Sequence, residues 1–99
     1  MKDILDKLST TKLDNRIRLG IMSVLMVNEW VGFNTLKEML GLTDGNLASH
    51  LKVLEKEKYV KLKKEFIGRK PHTSYRATAA GRKAFSDHLK ALEALLKGD

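Results

Sequence analysis

The apolar spacing of this chain changes period at one place, between Tyr59 and Ala77. Over most of the remaining sequence, apolar residues recur three and four positions apart, the repeat of a helix that buries one face. Inside that window Tyr59, Val60 and Leu62 alternate in part against Lys61, Lys63 and Lys64, as in a strand with one solvated face. Gly68-Arg69-Lys70-Pro71 supplies a turn, and Thr73 to Ala77 returns as a second strand. Helices around a single hairpin define the expected class: α+β, mainly α. No internal repeat, low-complexity stretch or linker divides the 99 residues, so residues 1–99 are expected to form one domain. A chain this short buries only about 60–65% of the surface its unfolded form exposes, which leaves its own core marginal.

The helical stretches have readable ends. Asp3 to Leu8 reads as a short helix with Ile4, Leu5 and Leu8 on one face. Asp14 or Asn15 can cap a longer helix to about Val27, carrying Ile17, Ile21, Val24 and Leu25 at helical spacing. Trp30-Val31-Gly32-Phe33 is rich in β-formers and reads as a minor strand or an extended link. Asn34 offers an N-cap for a helix over Thr35–Leu40 with Leu36, Met39 and Leu40 pointing one way, and Gly41 suits the left-handed position that ends it. Thr43 caps the next helix, which runs to about Lys58 with Asp44 in its first turn. Leu47, Leu51 and Leu54 mark its buried edge, with Ala48 beside them. Thr78 caps a last helix to about residue 97, along which Phe85, Leu89, Leu92 and Leu96 recur, flanked by Ala84, His88 and Ala91. Met22, Met26 and Met39 read as core filler.

Charge is confined as sharply as the strands are. The chain carries a net +7, and the stretch from Lys61 to Lys83, with eight cations against the single anion Glu65, accounts for all of it. A charge run is ordinarily a solvated face. A neutral body bearing one cationic hairpin, however, has the form of an electrostatic footprint for a polyanion. A membrane surface fits less well, because a basic amphipathic helix would be the usual element there. No apolar run approaches the roughly 20 residues of a membrane span, and Met1-Lys2-Asp3 opens no signal peptide, so the expected location is cytoplasmic. There is no cysteine, which removes disulfides, thiolate metal sites and cysteine nucleophiles together.

Next to the cationic hairpin lies a helix whose leading end is polar. Asp44, Asn46, Ser49 and His50 offer donors and acceptors within its first two turns, which is what base edges in a major groove require. Leu42-Thr43-Asp44-Gly45-Asn46-Leu47-Ala48-Ser49-His50-Leu51-Lys52-Val53-Leu54-Glu55, with Tyr59-Val60 and the block Gly68 to Gly81 after it, resembles a winged helix-turn-helix regulator. The likeness is nearest to the small prokaryotic transcriptional regulators around the MarR and ArsR families, and it extends from about Lys12 to Leu96. It implies a winged-helix DNA-binding domain with a C-terminal dimerisation helix: recognition helix at about 43–58, wing at about 59–77 with its tip between Phe66 and Ser74, last helix at about 78–97. The implied protein is a homodimeric DNA-binding transcription factor; two subunits in turn imply a pseudo-palindromic operator, and a repressor is the reading taken, with activation left open by the sequence. The sequence differs from metal-sensing ArsR members in having no cysteine, and from most MarR proteins in lacking longer flanking helices around a ligand pocket.

The expected contacts follow. Asp44, Asn46, Ser49 and His50 face the major groove; Thr43, Lys52, Lys63, Lys64, Lys70 and Arg76 meet phosphates; Arg69 enters the minor groove, where a narrow A/T tract has enhanced negative potential. Asn46 and Ser49 have an alternative as plain solvated residues, and Thr43 is a cap before it is a phosphate ligand. A His50 contact with DNA should strengthen on protonation near pH 6. The stripe Phe85, Leu89, Leu92 and Leu96 is more apolar than one face of so small a domain needs, and with Ile4, Leu5 and Leu8 it is the expected dimer interface. The alternative is a helix packed only on its own core. His50, His72 and His88 share no ligand spacing, so no metal or other cofactor is expected. No nucleophile, carboxylate pair or glycine-rich phosphate loop suggests an enzyme. The sequence identifies no small-molecule effector. The competing reading is a winged-helix module for RNA or protein; stacking rings would support it, and the basic segment has only Phe66 and Tyr75, one of them expected in the core.

Overall fold

The computed structural model describes residues 12–98. The helix expected over Asp3–Leu8, with Ile4, Leu5 and Leu8, lies outside them. The elements run α1 (Arg16–Met26), β1 (Val31–Gly32), α2 (Phe33–Leu40), α3 (Asp44–Lys56), β2 (Val60–Ile67), β3 (Lys70–Ala77) and α4 (Ala79–Leu96). This is a winged helix: a helical core with a three-stranded antiparallel sheet of order β1-β3-β2.

Three of the four helices among the described residues start where a side chain takes an orphan amide. Asn15 Oδ1 accepts from the Ile17 and Arg18 amides at 2.9 and 3.1 Å. Thr43 Oγ1 accepts from Asn46 N at 3.2 Å, and Thr78 Oγ1 from Gly81 N at 3.0 Å. Each such cap contributes about 1 kcal/mol. The helix after β1 departs from expectation. It begins at Phe33 behind Gly32, with no side-chain cap, and Asn34 is its second residue. Gly32 is also the last residue of β1, paired with Ser74, so strand passes into helix with no link in which Asn34 could stand extended. Gly41 closes α2 as expected, at φ +64. Its amide reaches Glu38 O at 3.3 Å and that of Leu42 reaches Lys37 O at 3.1 Å, the paired bonds of a Schellman end. The same pair ends α3 around Lys58, which takes φ +64 without being glycine, and this stops α3 at Lys56 rather than Lys58.

In the hairpin Val60↔Ala77, Leu62↔Tyr75 and Ile67↔Lys70 lie opposite each other. Pairing therefore carries β3 three residues beyond the expected start at Thr73, and the turn shrinks to Gly68-Arg69. Gly68 has φ +66 while Arg69 keeps negative φ, the pattern of a type II′ turn. Pro71 is tolerated because Phe66↔Pro71, next to the closing pair, is a position that exchanges no ladder bond.

Leu47, Leu51 and Leu54 of α3 are buried with Leu13, Ile21, Met22, Leu25 and Leu36, and the sheet adds Val31, Val60 and Tyr75. Two expected core residues are outside. Met39 is 59% exposed, because α2 is short and turns Leu36 inward with Leu40 beside it. Ala48 is exposed as well, one residue and about 100° round from Leu47 on a helix with a narrow buried edge. The last helix packs through its small face, Gly81, Ala84, His88 and Ala91. Phe85 reaches the core from the side, Leu92 is half-buried, and Leu89 and Leu96 stand 40% and 87% exposed.

Candidate nucleic-acid interface

With its buried edge fixed by leucines, α3 turns Gly45, Ser49, Lys52 and Lys56 outward at i, i+4, i+7 and i+11, and all four are exposed. Ser49 Oγ donates to Asn46 O at 3.0 Å, leaving its lone pairs to solvent. Lys56 belongs to this stripe and was not among the expected contacts; extending the Ser49–Lys52 spacing by one turn would have found it. Asp44 is exposed at the leading end, but Lys37 Nζ lies 2.9 Å from its Oδ1. That hydrogen bond and charge raise the lysine's pKa and tie α2 to α3 across the Gly41 turn.

Asn46 and His50 occupy the flank of α3 that faces the start of α1. Asn46 lines a groove of about 430 Å³ together with Arg16, Ile17, Leu40 and Gly41. His50 Nδ1 is 3.3 Å from Arg18 Nη1, and Arg18 Nε donates to Lys12 O at 2.7 Å. Arginine has only donors, so this contact is a hydrogen bond in the neutral tautomer that accepts at Nδ1 and carries its proton on Nε2. Partial burial, and then the Arg18 charge, push the His50 pKa down. The expected strengthening near pH 6 is thereby moved to lower pH, and Nε2–H is the donor left to offer. Sequence reasoning missed Arg18, which lies 32 residues away.

The pKa of His88 is also lowered, by burial, against the opposing pull of Asp14. For both groups the unfolded chain binds the proton more tightly. Their contribution to stability is therefore complete above the ordinary histidine value of about 6.5 and is lost as pH falls through the lower folded values. Urea unfolding from pH 7.5 down to 5 is expected to show a falling midpoint. His50→Gln, which keeps an acceptor for Arg18, should flatten part of that slope.

The wing divides its cations between root and tip. At the root Lys63 Nζ sits 4.5 Å from the centroid of the Trp30 ring, and Arg76 Cζ 5.5 Å from it. Arg76 also lies 3.8 Å from Glu29, and Lys63 lies 3.9 Å from Glu65. Trp30 thus gathers two expected phosphate ligands on the outer face of the sheet, a role its sequence neighbourhood gave no sign of. His72 packs its ring over Gly32, where a Cβ would come within 2.9 Å of Cε1. Beyond this cluster every residue from Lys64 to Pro71 is exposed, and Lys64, Arg69 and Lys70 have no ion pair among the described residues. Tyr75 is the ring in the core, at 8% exposure, and Phe66 is the one outside, at 75%. Lys52, on α3, is likewise unpaired among the described residues.

Along α4, Leu92 borders a groove of about 260 Å³ shared with Leu13, Leu19 and His88. No group of three or more His, Asp or Glu among the described residues is placed to hold a metal ion. No helix among them is long and apolar enough to cross a membrane.

The family described as a winged helix DNA-binding domain matches residues 17–96. An uncharacterized protein of Methanocaldococcus jannaschii is 41% identical over 81 residues, covering 82% of this chain and 88% of its own. Among solved structures, the transcriptional regulator homologue of Pyrococcus horikoshii superposes with TM-score 0.88 at 34% identity, over 99% of this chain and 97% of that one. MepR of Staphylococcus aureus, solved as a DNA complex, gives TM-score 0.74 at 13% identity over 95% and 80% of the two chains, a likeness of fold.

Proposed function

The chain belongs to the winged helix DNA-binding domain family, and from that premise we propose that it regulates transcription as a homodimer bound to a pseudo-palindromic operator. The observation that carries this reading is the pairing of an exposed polar helix face, capped by Thr43, with an adjoining hairpin whose unpaired charges are all positive. A structural neighbour of the same fold was solved on DNA, which supports a duplex as the partner. Lys52, Lys64 and Lys70 meet phosphates and set the salt dependence. Lys63 and Arg76 do so from the Trp30 cluster, and Thr43 from the cap. Asp44, Asn46, Ser49 and the Nε2–H of His50 read base edges, with Arg69 in the minor groove. Occupying an operator is enough to block it, so the reading is of a repressor.

Selection of bound sequences from a random duplex library at stated salt tests this reading. A pseudo-palindrome with half-sites about one helical turn apart, or a multiple of it, is the expected outcome. No enrichment, or equal competition by single-stranded RNA, would overturn it. On the selected site, Asn46→Ala is expected to cost about 1–3 kcal/mol at one base position with the salt slope unchanged. A loss uniform across sequences would make Asn46 a positioning residue.

A further inference from the structure

We propose that the tip of the wing is an apolar wedge that enters the minor groove and bends the duplex; the inference rests on the DNA-binding reading above. Phe66 and Ile67, the last two residues of β2, are 75% and 61% exposed. The register places Phe66 opposite Pro71 on one face of the hairpin and Ile67 opposite Lys70 on the other. The last β2 side chain packed against the core is Leu62. Phe66 thus stands four residues further out, about 13 Å along the strand, where packing within the chain asks nothing of it. Strand propensity does not account for it either, since Lys64 and Thr73 hold the preceding pair on the same face with polar chains.

The surroundings identify the occupant. Lys64 lies behind Phe66, Arg69 is in the turn ahead, and Lys70 faces Ile67, so the apolar tip is ringed by cations that have no ion pair among the described residues. A minor groove about 6 Å wide is walled by phosphates, which suit the cations, and floored by the edges of stacked base pairs, between which an apolar chain can wedge. Apolar chains inserted at a base step unstack it and kink the duplex by about 20–90°. Arg69 then reads the groove's potential, and Phe66 with Pro71 reads how easily the step opens. The wing thereby gains a preference for deformable steps that requires no hydrogen bond to a base.

The test uses a duplex recovered from the library selection, labelled at both ends for energy transfer and carrying 2-aminopurine at the step under the wing. The expected result is a bend of about 20° or more with a rise in 2-aminopurine emission. Phe66→Ser should abolish both, and Phe66→Leu should retain both. Lys52→Ala should lower the salt slope by about two, one for each protomer, while the bend persists. A wild-type complex that is bound but straight, or a Phe66→Ser complex bent like the wild type, would overturn the wedge and leave the regulator reading intact. Failure of the wild type to bind any duplex would remove both. A Phe66→Ser protein that changes its sedimentation without DNA, or a wild type whose tip prefers anionic phosphatidylserine vesicles, would assign these residues elsewhere and sink the proposal.

Discussion

Replacing Gly81 with alanine is expected to destabilise the fold by about 3 kcal/mol, the reverse of what helix propensity alone foretells. At an open helical position the same change stabilises by roughly 0.5–1 kcal/mol. Gly81 is not open. A Cβ there would collide with the carbonyl oxygen of Tyr59, lie 2.9 Å from its carbonyl carbon, and approach Met22 Cε to 3.0 Å. The Met22 end can swing aside, but the backbone cannot. Tyr59 O accepts from Thr78 N at 3.0 Å, Thr78 Oγ1 donates to Lys58 O at 2.6 Å, and Tyr59 N is held by Leu54 O at 2.9 Å. Relieving the clash therefore pulls on the end of α3, the root of β2 and the cap of α4 together. Gly45 is the control: its Cβ would meet nothing within 4 Å, so Gly45→Ala should raise the urea midpoint where Gly81→Ala lowers it. If both variants moved the midpoint upward, the close approach of α4 to the α3–β2 turn would be refuted. Because β2 leaves from that turn, Gly81→Ala should also loosen the wing, seen as faster amide exchange at Lys61 and Arg76, the hydrogen-bonded pair nearest its root.

What could be read in advance was decided by neighbours in sequence. The Leu47, Leu51 and Leu54 edge, the Thr43 and Thr78 caps and the left-handed Gly41 follow from local spacing and backbone preference, and the structure has them in place. The misses arise where a distant segment decides. Asn34 is a good cap in isolation, yet pairing of Gly32 with Ser74, 42 residues on, leaves it no place to act. The hairpin lengthens to Lys70 because cross-strand pairing outweighs the turn signal of Gly-Arg-Lys-Pro. Lys58 takes a glycine conformation with no glycine to announce it. In the candidate site the same division holds. The outward face of α3 and the cationic hairpin were visible as patterns, whereas the Arg18 contact to His50 and the Trp30 stack under Lys63 and Arg76 join residues that only the fold brings together.

The double substitution Leu89→Gln and Leu96→Gln is expected to leave folding intact and to separate the proposed dimer into monomers. Within one chain the two leucines are 40% and 87% exposed, while the helix packs on its core through Gly81, Ala84, His88 and Ala91. Trading exposed leucine for glutamine, a comparably good helix former, should therefore shift the urea midpoint of the monomeric unit little. Across a two-fold axis each position is met twice, and each leucine buried there would contribute about 1.5–3 kcal/mol, so the double variant removes four such side chains from the proposed interface. Glutamine adds no charge, so the cations of each protomer stay as they were. What changes is whether two half-sites are engaged at once. Loss of that linkage should weaken operator binding by about 10²–10⁴-fold and halve the salt slope, with one half-site still bound at high protein concentration. Sedimentation and operator titration on the same samples decide the matter. A double variant that remains dimeric would take the interface off α4, and one that unfolds would assign these leucines to the core of a single chain. Monomers that keep full operator affinity would show that a single wing and helix hold the site unaided.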